Sequence, residues 1–419
     1  MMIISTVLIA GLVAVLFINW NIGQQTVQRR VAHLYSIDDP QFLRTMGVLL
    51  GPSMKDGNRA KALLNGDEIF PAMLDAIRKA QRTVTFETYI YWSGEVGKAF
   101  VAALSERSRA GVKVHVLLDW VGSERMEASY LEQMKEAGVE VHRYNPLRWY
   151  SLGRINNRTH RKILVVDGKI GFTGGVGIGD TWLGHAQDPD HWRDTHFQIE
   201  GPVVAQMQSA FFDNWVKVTG NVLHGDDYYP PSKPAGSHLA QVFVSSPGGG
   251  SESMQLMYLL SIAAAKKSLQ LSMAYFVPDD LAMQTLLEAI KRGVKIQMIL
   301  PGKHTDEDLT RHASRAQWGE LLRTGVEIYE YQPTMFHCKV MIVDGLWTSV
   351  GSTNFDPRSF RVNDEANLNI YDGEFAASQI KVFEEDLKRS RRITLKEWNN
   401  RPWTEKAKER IARLLRSQL

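Results

Sequence analysis

The chain repeats itself, and that repetition constrains its fold more than any other feature. Residues 76–90 read AIRKAQRTVTFETYI and residues 262–276 read IAAAKKSLQLSMAYF; each is a helix end, a basic turn and a β-rich strand. Ala110-Gly111-Val112-Lys113-Val114 is echoed by Arg292-Gly293-Val294-Lys295-Ile296, and Gly138-Val139-Glu140-Val141 by Gly325-Val326-Glu327-Ile328. Tyr144-x-Pro146 then matches Tyr331-x-Pro333, and His160-x-Lys162 matches His337-x-Lys339, at offsets that drift only between 177 and 187 residues. Helical stretches alternating with apolar strands predict an α/β fold: two pseudo-twofold-related units, each a mixed sheet flanked by helices. Such an axis can carry corresponding strands of both units to one cleft.

The expected boundaries follow from this pattern. Residues 40–220 read as the first unit and 253–395 as the second, with 221–252 as a linker containing Pro230-Pro231 and Gly248-Gly249-Gly250. The glycine run lacks the Lys-Ser/Thr of a nucleotide-phosphate loop, so it reads as linker. Residues 396–419 form a basic amphipathic tail, with Ile411, Leu414 and Leu415 against Lys406, Lys408, Arg410, Arg413 and Arg416, suited to anionic lipid or to packing on the body.

Residues 1–22 read as a transmembrane anchor. Met2 to Trp20 carries no charge, and at about 1.5 Å per residue it can cross a bilayer core of roughly 30 Å. No basic residue precedes the run and no small-residue cleavage site follows it, which argues against a secretory signal. Arg29 and Arg30 on its far side favour a cytoplasmic body on an inner (cell) membrane. The formal net charge of +3 gives no basic footprint for nucleic acid. Cys338 is the only cysteine, so disulfides and cysteine-rich metal sites are excluded, and no other residue set has metal-ligand spacing. Nothing in the sequence speaks to oligomeric state.

The chemistry concentrates in two strings, HRKILVVD from His160 to Asp167 and HCKVMIVD from His337 to Asp344. Both are β-branched, apolar runs that should be buried strands. On a strand, His160 and Lys162 share a face, as do His337 and Lys339, whereas Asp167 and Asp344 point elsewhere or sit at the strand end. The two Asp residues enter the candidate catalytic set with their motifs, but geometry favours a structural role. Each motif leads to a turn of small residues, Gly174-Gly175-Val176-Gly177 and Gly351-Ser352-Thr353-Asn354, where backbone can approach phosphate. Gly175, Ser352 and Asn354 are therefore candidate phosphate contacts. Two lysines and an asparagine could stabilise a phosphoryl transition state while one histidine attacks phosphorus and the other protonates the leaving alcohol.

The strings HRKILVVDGKIGFTGG and HCKVMIVDGLWTSVGSTN resemble the two signatures of the phospholipase D superfamily, over about residues 58–400. Within it, NGDEIFPAMLDAIRKAQRTVTFETYIYW, WRDTHFQIEGPVV and NFDPRSFRVNDEANL are similar to bacterial cardiolipin synthases of that type. The resemblance implies a cofactor-free, metal-independent two-step transfer through a phosphohistidine. It makes His160 the nucleophile and His337 the general acid and base, with Lys162, Lys339 and Asn354 on phosphate. It also implies that Asp194 orients His337 and that Glu365 orients His160. Phospholipid substrates follow, with phosphatidylglycerol as donor and cardiolipin as product at a membrane; a phospholipase D-type hydrolase using water is the alternative. Gly177 departs from the asparagine that the family often has at that place.

Overall fold

The computed structural model describes residues 27, 29–146, 157–247 and 251–416. The expected anchor at 1–22 and the glycine run at 248–250 lie outside these residues. Among the described residues no helix is long and apolar enough to cross a membrane.

The first unit contributes β1 (Lys55–Leu64), β2 (Thr83–Thr88), β3 (Lys113–Asp119), β4 (Glu140–Tyr144), β5 (Ile163–Val166), β6 (Ile170–Gly174) and β7 (Thr195–Glu200). The second contributes β8 (His238–Ser245), β9 (Ser268–Met273), β10 (Lys295–Pro301), β11 (Glu327–Tyr331), β12 (Lys339–Val343), β13 (Trp347–Gly351) and β14 (Glu365–Tyr371), followed by β15 (Ser390–Ile393). All join one sheet in the order β15-β11-β10-β9-β12-β13-β14-β8-β1-β7-β6-β5-β2-β3-β4. Outward from the β8–β1 seam the two sides repeat the same sequence of strands. In each, three parallel strands (β2-β3-β4, β9-β10-β11) adjoin an antiparallel block built on the motif strand, β5 or β12.

Strand alternation sorts the apolar residues into three main cores. Leu164 and Val166 face the helices Asn65–Lys79 and Glu95–Arg109, and Met341 and Val343 face the equivalent helices of the second unit. Ile163 and Val165, with Val340 and Ile342, turn the other way into a core shared by both units. The helices Val204–Thr219 and Gly373–Lys388 contribute to it through Phe211, Trp215 and Phe375. Both motif strands are thus covered on two faces, which is why they read as unbroken apolar runs.

The echoed glycines have a local cause. Gly111, Gly138, Gly293 and Gly325 end helices with φ between 88° and 98°, a left-handed conformation that is costly with a side chain.

Two boundary expectations need correcting. Residues 221–252 are not only linker, because His238–Ser245 forms β8, paired with β14 and β1 at the centre of the sheet. Nor does the first unit begin at residue 40. Phe42 and Met46 are buried in the core of the second unit, Phe42 edge-on to Trp347 with ring centroids 5.0 Å apart. The first-unit strands begin at Lys55.

Candidate active site

Each motif strand is preceded by a segment that pairs with the opposite unit. The His160 amide donates to the Asp364 carbonyl at 2.8 Å, and the Asp364 amide donates to the Arg158 carbonyl at 2.9 Å. Across the pseudo-twofold axis, the His337 amide donates to the Arg193 carbonyl at 2.8 Å, and the Arg193 amide to the Met335 carbonyl at 2.9 Å. These exchanges place the residue after each bridge, Glu365 or Asp194, beside the histidine of the other unit. His160 Nδ1 lies 3.0 Å from both Glu365 carboxylate oxygens, and His337 Nδ1 lies 2.7 Å from Asp194 Oδ2. Fixing Nδ1 against a carboxylate turns Nε2 of each ring away from that acid, and Nε2 of His337 lies 3.1 Å from Lys339 Nζ.

Both histidines and Lys162 line a cleft of about 710 Å³, together with Asn354, Tyr89, Trp92, Trp182, Trp192 and Tyr275. Lys162 Nζ donates to the His160 carbonyl at 2.9 Å, and Lys339 Nζ to the His337 carbonyl at 2.7 Å. Asn354 is buried on the cleft wall, and its side-chain oxygen has no hydrogen-bond partner among the described residues.

Burial sets the charge of the cleft's histidines and lysines. Burial pulls His160 down to about 4 despite Glu365, so its ring is neutral and nucleophilic at ordinary pH. His337 is also lowered, by burial and then by Lys339. Burial, with Lys339 next, pushes Lys162 down to about 7, and burial lowers Lys339 too. Glu365 and Asp194 go the other way. Burial alone would raise both, but the facing histidines, helped by Ser352 for Glu365 and Lys339 for Asp194, hold them below the usual carboxylate range. Lys162, poised near neutrality by burial, takes up its proton more readily when an anion lies beside it. Among the described residues no three His, Cys, Asp or Glu side chains converge as a metal site.

Several expected residues sit elsewhere. Asp167 and Asp344 leave the catalytic set. Each has φ of 53° and is followed by a glycine at 62° or 64°, the pattern of a tight hairpin turn. The Asp167 carboxylate accepts from the amides of Gln81, Arg82 and Thr83, and that of Asp344 from Lys266, Lys267 and Ser268, so each pins its hairpin to the basic turn before β2 or β9. Ser352 and Gly175 do not line the cleft. The Ser352 hydroxyl donates to Glu365, and a Cβ on Gly175 would sit 2.3 Å from Asp194 Oδ1. Ser352 thus holds the Glu365 carboxylate, and Gly175 leaves room for that of Asp194.

Sequence reasoning missed the aromatic walls. Tyr89 lies edge-on to His160 with centroids 5.4 Å apart, and Lys162 Nζ is 5.8 Å from its ring; Tyr275 and Lys339 repeat the arrangement at 5.9 Å. The signal was present, because both tyrosines occupy one position of the echoed strand segment. Trp182 had no such signal. Its indole N–H donates to Asp194 Oδ2 at 3.1 Å.

The family model described as "Cardiolipin synthase, PLD-like domain" matches residues 73–215 and 258–387. Curated relatives include cardiolipin synthase 2 of Bacillus anthracis, 36% identical over 358 residues, covering 85% of this chain and 70% of that protein. Cardiolipin synthase A of Pseudomonas putida is 35% identical over 374 residues, covering 89% and 78%. Among solved structures, phosphatidylserine synthase of Haemophilus influenzae superposes with TM-score 0.69 at 14% identity, covering 90% of this chain and all of that one. Polyphosphate kinase of Porphyromonas gingivalis does so at 0.54 and 14%, covering 86% and 53%; both share the fold.

Proposed function

The chain belongs to the phospholipase D-like cardiolipin synthase family of phosphatidyltransferases, and from that premise we propose that it makes cardiolipin from phosphatidylglycerol through a phosphatidyl-histidine. The observation that carries this reading is the pairing of each motif histidine with an acid of the opposite unit, both rings facing one cleft. His160, neutral and held by Glu365, attacks phosphorus through Nε2. The bond from phosphorus to the glycerol oxygen breaks, and His337, which enters the step as an imidazolium paired with Asp194, delivers a proton to that oxygen. Glycerol leaves. The hydroxyl of a second phosphatidylglycerol then attacks phosphorus, His337 takes its proton, and the bond to His160 breaks.

Lys162, Lys339 and Asn354 stabilise the non-bridging oxygens in both steps. Asp194 and Glu365 fix the ring tautomers and stabilise each imidazolium as it forms. The work is carried out at the inner membrane from its cytoplasmic side.

The test supplies purified full-length protein with phosphatidylglycerol vesicles and identifies products by mass. Cardiolipin with an equivalent of free glycerol supports the reading. Phosphatidic acid as the sole product overturns it in favour of a hydrolase with water as acceptor.

A further inference from the structure

The helix Trp403–Leu414 is mounted with its sides reversed relative to an ordinary surface helix. The side facing the body is polar. Glu409 is 1% exposed and ion-paired to Arg401 and Arg315, His312 faces Glu405 at 3.7 Å, and Arg416 meets Asp280 at 2.9 Å. Among the described residues, the buried apolar contact of the helix is Ala412, against Val277 and Ala313. At about 100° per residue, Trp403, Ala407, Ile411 and Leu414 fall on the opposite side. Trp403 is 77% exposed, Ile411 62% and Leu414 78%. Lys406, Arg410 and Arg413 flank this stripe on one side and Lys408 on the other. A helix normally buries its apolar stripe; this one presents it outward, framed by cations.

Its position in the molecule matters as well. The helix packs against Asp308–Arg315, and the start of that neighbour, with Asp306 and Glu307 before it and Thr310 in its first turn, stands on the wall of the cleft. Arg416, just past the helix end, pairs with Asp280, and Arg30 pairs with Glu288 at 3.2 Å on the same helix, Asp280–Lys291. Eight residues along a helix are about 12 Å. Arg30 and Arg416 are therefore fastened to the same helix about two turns apart.

We propose that the outward face of Trp403–Leu414 docks on an anionic lipid bilayer and so holds the mouth of the cleft at the membrane surface. An aromatic ring and aliphatic side chains in a single stripe fit the boundary between headgroups and acyl chains, and flanking Lys and Arg fit lipid phosphates. Only the purpose of this docking rests on the proposed lipid transfer; the docking itself rests on the helix.

The experiment uses full-length protein in nanodiscs. An environment-sensitive fluorophore on Ile411→Cys reads the stripe, while buried Cys338 stays unlabelled. In discs of phosphatidylglycerol and phosphatidylcholine, the label should shift to the blue and be quenched by doxyl-labelled lipid. Quenching should weaken in phosphatidylcholine alone. Arg410→Gln and Arg413→Gln should each weaken the docking equilibrium roughly fivefold, with an unchanged unfolding temperature. A label quenched by aqueous iodide and untouched by doxyl lipid overturns the proposal. So does a label shielded equally in detergent and in discs, which would mean that another segment or a second copy covers the stripe. Neither readout needs turnover, so an inactive preparation tests docking as well as an active one.

Discussion

The two units share a strand order but not the shells behind their histidines. Behind His160, the longer acid Glu365 is backed by the Ser352 hydroxyl. Behind His337, the shorter acid Asp194 is backed by the Trp182 indole, and Gly175 stands where the serine would be because a Cβ there would strike the Asp194 carboxylate. Gly177 follows from the same exchange. A Cβ on it would lie 2.7 Å from Ile90 Cβ and 3.1 Å from the Trp182 ring, so the indole that supports Asp194 and the Ile90 side chain leave no space for the counterpart of Asn354. A duplicated scaffold has kept its geometry while its two sites have specialised around different packing.

The largest expected effect separates the histidines. Quenching the parent during turnover should trap the phosphatidyl adduct on His160; His160→Ala should stop turnover by removing the nucleophile and His337→Ala by leaving the glycerol oxygen without a proton donor, both variants unfolding as the parent does. Mass spectrometry of quenched reactions reads the adduct, and a covalent species on His337 in the His160 variant would reverse the assignment. Next come the acids. Glu365→Gln and Asp194→Asn should each lower kcat by about 10²–10⁴ through loss of the ring tautomer. Steady-state kinetics with a change under tenfold for either would show that its histidine needs no orienting partner.

Smaller effects probe packing and charge. Gly177→Asn inserts the second unit's residue into the first and should cost about 1–3 kcal/mol of stability by overpacking, with no gain in kcat. Denaturant unfolding checks this; a fully stable and faster variant would mean that the missing amide is a deficit the enzyme tolerates. The smallest signal is a proton. Lys162 sits at about 7, so above that pH it is largely neutral, and phosphate binding, which favours the charged form, should take a proton up. Calorimetry at pH 8 in buffers of different ionisation enthalpy measures that uptake, which should vanish near pH 5, where the lysine is already charged.

Much of this was legible in the sequence because it depends on periodicity. Echoed glycines, apolar motif strands and the His-x-Lys spacing are local features, and they led to the mixed sheet and to the face shared by His160 and Lys162. Asp167 and Asp344 could be set apart from the chemistry by strand alternation alone. The pairings of Asp194 with His337 and of Glu365 with His160 came only through resemblance, because no local pattern encodes a contact between units. β8 was lost within a stretch rich in glycine and proline, and its place at the seam is a tertiary fact. The same holds for Phe42 and Met46, which are early in the chain yet buried in the second unit. Trp182 as support for Asp194, and hence the reason for Gly177, required coordinates.

The bridges that hold each histidine to the opposite unit have a consequence for synthesis. The contacts that orient His160 and His337 span 205 and 143 residues of chain. Non-local contacts of this length form late, and domains emerging from the ribosome fold in order. On the proposed reaction, a growing chain has no oriented nucleophile until Glu365 has been made and no proton donor until His337 has been made. A chain truncated before Glu365 would therefore be silent toward the lipids around it, and the onset of activity would report that the second unit has been made and has docked on the first.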